Sequence, residues 1–449
     1  MHAGAPRGLP LSPELVGFVL LGVFLFAIFI GFPVAFTLIF LSLAFGYFAL
    51  GDMVFYLTVL QTIGLMKEEV LAAVPLFIFM GYLLEEGGLM ERLFRAFRLL
   101  LGPVPGSLYV AVLLTATIFG IASGTVGATV AVIGIMAVPT MVRAGYDPRL
   151  SAGSITAGGT LGILIPPSVM LVVMGPVMGV SVPELYAAAF GPGFLLAGIF
   201  IVWTLGRCLI NPRLGPALRH DERVSSVRTL AVELSLGMLP HVVLAAVTLG
   251  PILTGLATPT EAAGVGVVGT IVMTAAYRTL SWARLKSAMI QTAMQSSMVF
   301  FLAVASNIFG AIFTRLGSAT LMTEALVGLP LPPMGTLLVV MGLIFLLGWP
   351  FEWPAIVFVF VPLVQPTIMA LHFDPLWFAA LIAVNLQTAF LSPPVAMAAY
   401  YLKAVAPDWK LTDIYWGMAE FMLLQMIGLM IVLFYPPIAL WFPHWLYGK

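Results

Sequence analysis

The chain of 449 residues is 61% hydrophobic and 8% charged, with a mean hydropathy of +1.11. A soluble domain carries about 25% charged residues, so this composition excludes one and specifies an integral membrane protein. The net charge is zero, with no sign of a nucleic-acid partner or a polybasic lipid-binding tail, and the single cysteine, Cys208, excludes an intrachain disulfide or a cysteine-rich metal site.

In chain order, apolar stretches of spanning length, about 20 residues, lie near 14–31, 33–50, 107–142, 150–175, 191–210, 236–254, 259–277, 335–370, 376–402 and 413–438. The first could pass for a signal peptide. No A-x-A-type cleavage site follows it and another apolar segment comes at once, so it reads as a retained helix. Residues 70–97 and 289–328 are apolar but interrupted, by "GYLLEEGGL" in the first and by "ASNIFG" and "RLG" in the second, and read as re-entrant helical hairpins. The amphipathic stretches "GDMVFYLTVLQTIGLMKEE" and "RTLSWARLKSAMIQ" ahead of them suit interfacial helices. The one markedly polar linker, 211–230, falls near the midpoint. No G-x-x-x-x-G-K-[ST] occurs, so ATP bound to this chain is not expected to power it.

The midpoint linker suggests a duplication. "VPTMVRAGYDPRLSAGSITAGGTLGILIPPS" and "VQPTIMALHFDPLWFAALIAVNLQTAFLSPPV" align without gaps at an offset of 227, which places Pro139 on Pro366, Asp147-Pro148 on Asp374-Pro375 and Pro166-Pro167 on Pro393-Pro394. Pro33 falls on Pro259 at an offset of 226. Recurrent Pro-Pro turns alone do not predict one register. The first repeat is taken as 1–210 and the second as 231–449, each with five crossings and one hairpin. An odd number of crossings inverts the second copy, giving an all-α polytopic protein of two inverted-topology repeats. With the N-terminus outside, 13 Lys and Arg fall on cytoplasmic loops and 6 outside, so both termini are expected on the outer face.

Pro cannot donate a backbone hydrogen bond and disrupts the preceding helical turn, and an unpaired backbone group in hydrocarbon costs several kcal/mol. Irregular backbone at membrane depth therefore needs protein, water or an ion to satisfy it. Gly158, Gly159 and Gly162 ahead of Pro166 and Pro167 are expected to free carbonyls, and the matching segment supplies Asn385, Gln387, Thr388, Ser392, Pro393 and Pro394. Such oxygens suit a hard cation such as Na⁺, and half-helix N-termini facing a break suit an anionic substrate. The helix before each break offers the other wall: Ser123, Gly124, Thr125 and Gly127 in the first repeat, and Gly348, Pro350, Glu352 and Pro354 in the second. "SGTVGATVA" also reads as a small-residue packing face. Glu352 is an ionisable group within an apolar stretch and so a candidate by default, although Trp349 and Trp353 flank it as interfacial anchors would.

Other groups have plainer readings. Glu85 and Glu86 suit a hairpin turn, Glu261 complements a helix start, and Asp147 and Asp374 cap the helices that follow. The five histidines share no metal-binding spacing, and no nucleophile–His arrangement argues for an enzyme.

Over nearly its whole length the sequence resembles the large membrane subunit of a tripartite ATP-independent periplasmic (TRAP) transporter. The resemblance rests on "VPLFIFMGYLLEEGGL" (74–89), "SGTVGATVAVIG" (123–134), "GYDPRLSAGSITAGGTLGILIPPS" (145–168), "TPTEAAGVG" (258–266) and "NLQTAFLSPPVA" (385–396). It implies an elevator-type secondary transporter of the ion-transporter superfamily in the bacterial inner membrane. Such a permease imports an organic acid with Na⁺, receives it from a periplasmic binding protein, and works with a small four-helix membrane subunit. It also implies two Na⁺ sites: Ser123, Gly124 and Thr125 with Gly159 and Thr160, and Asn385, Gln387, Thr388 and Ser392 with backbone near Gly348. "SGTVGA" departs from the usual "SGS", and "GWPFEWPAI" from a more usual "G-x-x-L-D", which leaves Glu352 as ion ligand, substrate contact or neither. The competing expectation is a stand-alone Na⁺- or H⁺-coupled transporter of the same repeat type that needs no binding protein.

Overall fold

A computed structural model describes residues 12–123, 126–218, 227–393 and 396–448. The described residues are helical throughout, with no strand. In order the helices are α1 Pro13–Ile30, α2 Val34–Leu50, α3 Met53–Met66, α4 Ala73–Glu86, α5 Leu89–Leu101, α6 Ser107–Ser123, α7 Val126–Arg143, α8 Pro148–Leu164, α9 Val169–Met178, α10 Val182–Ile210 and α11 Val227–Leu253. The second half continues with α12 Pro259–Ala276, α13 Trp282–Arg315, α14 Ser318–Val327, α15 Pro333–Leu347 and α16 Trp353–Ala355. A π segment, Ile356–Phe360, carries α16 into α17 Val361–Ala370, and α18 Pro375–Leu391, α19 Met397–Val405, α20 Leu411–Phe434 and α21 Pro437–Tyr447 complete the chain. Among the described residues, eight helices are long and apolar enough to cross a membrane, ten if each of two bent pairs counts as one span.

The core is built on α8 and α18. Every residue of α8 from Leu150 to Leu164 is buried, and so is every residue of α18 from Trp377 to Leu391. Both start alike for one local reason: a Pro occupies the first turn, where its missing N–H costs nothing, and the preceding Asp caps the third. The Asp147 carboxylate accepts from the Leu150 N–H at 2.9 Å, and the Asp374 carboxylate from the Trp377 N–H at 2.9 Å. The helices also end in step, at extended residues Ile165 (φ −78°, ψ 123°) and Ser392 (φ −84°, ψ 127°), again 227 apart. Thr258 and Glu261 form a reciprocal cap at the start of α12, as a carboxylate at that position should.

Three expectations change. The fold-back expected at 70–97 is instead a bend of 64° between the helix ending at Glu86 and α5. The stretch 107–142, read as one span, is two helices. A straight helix would hold residues 120 and 130 about 15 Å apart, yet Gly120 abuts Gly162 while Val130 abuts Gly159, one turn away on the same face of α8. The chain therefore reverses between α6 and α7, which form the arms of a hairpin lying against α8. The interfacial helix expected before 289 is not separate: no Pro interrupts 282–315 and α13 runs through all 34 residues.

Small residues earn their places by close approach. A Cβ on Gly120 would lie 2.4 Å from the Gly162 Cα, and one on Gly417 of α20 would lie 2.0 Å from the Arg149 carbonyl oxygen. No side chain but hydrogen fits these backbone crossings.

Candidate functional site

An α-helix leaves its last four carbonyls without intrahelical partners. Because α8 runs to Leu164, those carbonyls are 161–164, and the carbonyls of Gly158 and Gly159 lie inside the helix. The Ile165 N–H donates to the Leu161 carbonyl at 3.0 Å, and the Ser168 hydroxyl donates to the Ile163 carbonyl. Pro166 and Pro167 then carry the chain, fully buried, through a 46° bend into α9. Gly159 itself faces α7, where a Cβ would lie 2.3 Å from a Val130 methyl, so the small-residue packing reading accounts for it.

The second break is more polar. Asn385, Thr388 and Ser392 recur at helical spacing on one face of α18, and all three are buried. The Asn385 amide donates to the Met341 carbonyl of α15 at 2.8 Å, and the Thr388 hydroxyl to the Asn385 carbonyl at 2.6 Å. Asn385 Oδ1 and Ser392 Oγ have no hydrogen-bond partner. Ser392 Oγ stands at the helix C-terminus, where a hard cation finds an oxygen donor and gains from the carbonyl end of the dipole, whereas Asn385 lies seven residues, about 10 Å, back along the helix axis. Gly348 ends α15 against α18, where a Cβ would meet Ala389 Cβ at 2.8 Å. Pro393 is exposed at the end of the helix, while Pro394 lies outside the described residues.

Gln387 lies about 200° around α18 from Asn385 and belongs to a different group. Its Oε1 lies 3.3 Å from the Thr160 hydroxyl, and Thr160 and Gln387 are themselves 227 apart. The two positions assigned to separate ion sites therefore meet each other, each repeat touching its own counterpart. The Gln425 amide on α20 donates to Thr160 Oγ1 at 3.0 Å, and that hydroxyl also lies 2.8 Å from the Ala157 carbonyl. Gln425 Oε1 and Gln387 Nε2 remain unpartnered and buried. Gln425 escaped the sequence reading. Its signal was there: an isolated amide in the apolar run "FMLLQMIGLM".

Of the first expected ion site, Gly124, Thr125 and the Ser123 side chain lie outside the described residues. The first turn of α7 reaches a cavity of ≈420 Å³, lined by Val126, Gly127 and Ala128, by Val169 at the start of α9 and by Phe390 at the end of α18. Glu352 and Trp353, at the start of α16, complete that side, and Val126 and Trp353 are again 227 apart. Glu352 is exposed toward the cavity, and its carboxylate does not cap its own helix. Across the cavity stand Tyr82 and Glu85 of α4 with Gln291 and Gln295 of α13. Glu85 therefore does more than mark a turn, whereas Glu86 accepts from the Ser287 hydroxyl at 2.6 Å and is spoken for. Among the described residues no three His, Cys, Asp or Glu side chains group as a metal site. His241 is buried, with Nδ1 2.9 Å from the Gly237 carbonyl oxygen.

The family model described as tripartite ATP-independent periplasmic transporter, DctM component, matches residues 21–438. The chain belongs to this family. Its permease is not an enzyme, and its apolar helices fit a multi-pass membrane protein. The C4-dicarboxylate TRAP transporter large permease protein DctM of Pseudomonas aeruginosa is 29% identical over 85% of this chain and 87% of its own length. The sialic acid TRAP transporter large permease protein SiaM of Vibrio cholerae is 28% identical over 94% and 97%. An isethionate TRAP transporter permease protein, DctMQ, of Oleidesulfovibrio alaskensis is 29% identical over 82% of this chain and 57% of its own length. Among solved structures, the YdaH transporter of Alcanivorax borkumensis shares the fold, with a TM-score of 0.65 at 16% identity over 96% of this chain and 99% of that one.

Proposed function

We propose that this permease imports an organic acid against its gradient by coupling entry to inward Na⁺, with α6–α10 and α15–α21 carrying the site past α1–α5 and α11–α14 in an elevator motion. The observation that carries this reading is the pair of helix ends at Ile165 and Ser392, one register apart, with the unpaired oxygen of Ser392 at the second and that of Asn385 two turns before it. Inverted repeats whose interrupted helices meet are a general transporter design. Cavities lie along the seam between the two groups, although it is closely packed elsewhere, as where Phe24 of α1 stacks on Phe351. The ≈420 Å³ cavity opens on it, and farther along two more cavities of ≈410 and ≈260 Å³ share Gln61, Asn307 and Phe358.

The related permeases named for C4-dicarboxylate and sialic acid support an organic-acid cargo. A periplasmic binding protein delivers the cargo, and the protein resides in the bacterial inner membrane with both termini on the periplasmic side. The test is uptake into proteoliposomes holding the permease and its small subunit, supplied with the binding protein and the acid that copurifies with it. Uptake requires an inward Na⁺ gradient; equal rates in K⁺, or under a proton gradient alone, reject Na⁺ coupling. Uptake by the permease without a binding protein would favour a stand-alone transporter.

A further inference from the structure

Among the described residues, the walls of the ≈420 Å³ cavity carry two carboxylates, Glu85 and Glu352, and neither Lys nor Arg. Glu85 stands on α4 and Glu352 at the head of α16, on opposite sides of the seam that the proposed motion opens. Glu85 Oε2 is buried with no hydrogen-bond partner. Tyr82 and Tyr401 line the same cavity as the two acids. The ring of Tyr401 is held down on α7 by Gly127, where a Cβ would lie 2.8 Å from it. Gln291 and Gln295 add neutral donors and acceptors.

A purely anionic cargo meets the wrong sign here. Carboxylates lining a cavity with no cationic side chain disfavour a further anion there, whereas a cationic nitrogen is attracted by either of them and by the tyrosine rings. We infer that the cargo of this permease carries an ammonium or quaternary ammonium group beside its carboxylate, and that Glu85 and Glu352 with Tyr82 and Tyr401 receive that nitrogen. The inference rests on the cavity being the transport site of the Na⁺-coupled permease proposed above. The carboxylate end of such a cargo is left to the half-helix start at Val169.

The test reads cavity occupancy without the binding protein. Cys208 is buried, so a cysteine placed in the cavity by Ala131→Cys is the accessible thiol. Its rate of maleimide labelling is followed in the purified permease with its small subunit, in Na⁺ and in K⁺. Matched probes differ by one amino group: aspartate against succinate and glutamate against glutarate, with glycine betaine as a cation-bearing monoacid. The expected result is Na⁺-dependent protection by at least one amino compound at about a tenfold lower concentration than its deaminated partner, or by betaine, the scale of one charge-assisted contact. Glu352→Gln and Glu85→Gln should erase that gap while the labelling rate still responds to Na⁺, which reports an intact fold. Equal or better protection by succinate and glutarate in Na⁺ overturns the ammonium site and leaves the Na⁺-coupled cavity standing. Protection that is the same in Na⁺ and K⁺ strikes the coupling reading and not the ammonium one. No protection by any probe removes the cavity as the transport site, and the ammonium site with it.

Discussion

The helices that lead into the two breaks have the same length, 17 residues, the same Asp cap, the same Pro entry and closely similar backbone angles at the exit. What fills them differs. Helix α8 contains Gly153, Gly158, Gly159 and Gly162, and α6, α7 and α20 press onto it at backbone distance. Helix α18 contains no glycine; it carries Asn385, Gln387 and Thr388, and several of their polar atoms are unpaired. The first break is buried and its Ser168 hydroxyl is satisfied by the helix end, while the second opens at Pro393. Two helices in one register thus differ in filling: close packing where backbone crosses backbone, and unpaired polar atoms where side chains have room.

The comparison breaks first where the packing is tightest. Gly120→Ala drives a Cβ into the Gly162 backbone, which cannot yield as a side chain would, and is expected to cost about 3 kcal/mol. Gly264→Ala meets nothing within 4 Å and should be neutral or slightly stabilising. Denaturation midpoints of the purified variants check the contrast, and equal midpoints would show that the α6–α8 crossing is not backbone-limited.

Thr160→Val keeps the shape and removes the hydroxyl that Gln425 and Gln387 share. Leaving those buried amides unpaired should cost about 2 kcal/mol. The same substitution paired with Gln425→Leu should cost less than the two changes summed, because both remove one contact. Strict additivity in that double-mutant cycle would separate Gln425 from the group.

The smallest effect sharpens the symmetry. Asp147→Ala and Asp374→Ala each remove one cap bond of 2.9 Å, so each should cost about 1 kcal/mol and by the same amount in either half. Unequal losses in the unfolding midpoint would mean that the two helix starts are not equivalent.

Much of this was legible because it is local. Asp-Pro announces a capped helix start, Thr258 with Glu261 a reciprocal cap, and Gly-rich runs ahead of Pro-Pro a helix that must stop. Their common offset could be read without coordinates, and so could the membrane class and the family. The hairpin was misplaced because an apolar stretch reports length and not direction: "LLEEGGL" looked like a reversal and became a 64° bend, while the reversal between α6 and α7 hid inside an unbroken apolar run. The pairing of Thr160 with Gln387 was invisible for another reason. Register shows which residues correspond, and only tertiary packing shows that two correspondents touch. Glu85 looked like turn punctuation because the cavity it faces is assembled from helices that lie far apart in the chain.

The central claim of the proposed function is that the end of α18 binds Na⁺ at Ser392. Backbone hydrogen exchange over the last turn of α18 and the residues up to Ala396, measured in Na⁺ and in K⁺ at equal ionic strength, tests it most directly. Slowing of about tenfold or more in Na⁺ is expected, the exchange signature of roughly 1.4 kcal/mol of ligand-linked stabilisation, and it should vanish in Ser392→Ala. The same exchange rates in the two salts for the unaltered protein would contradict the account.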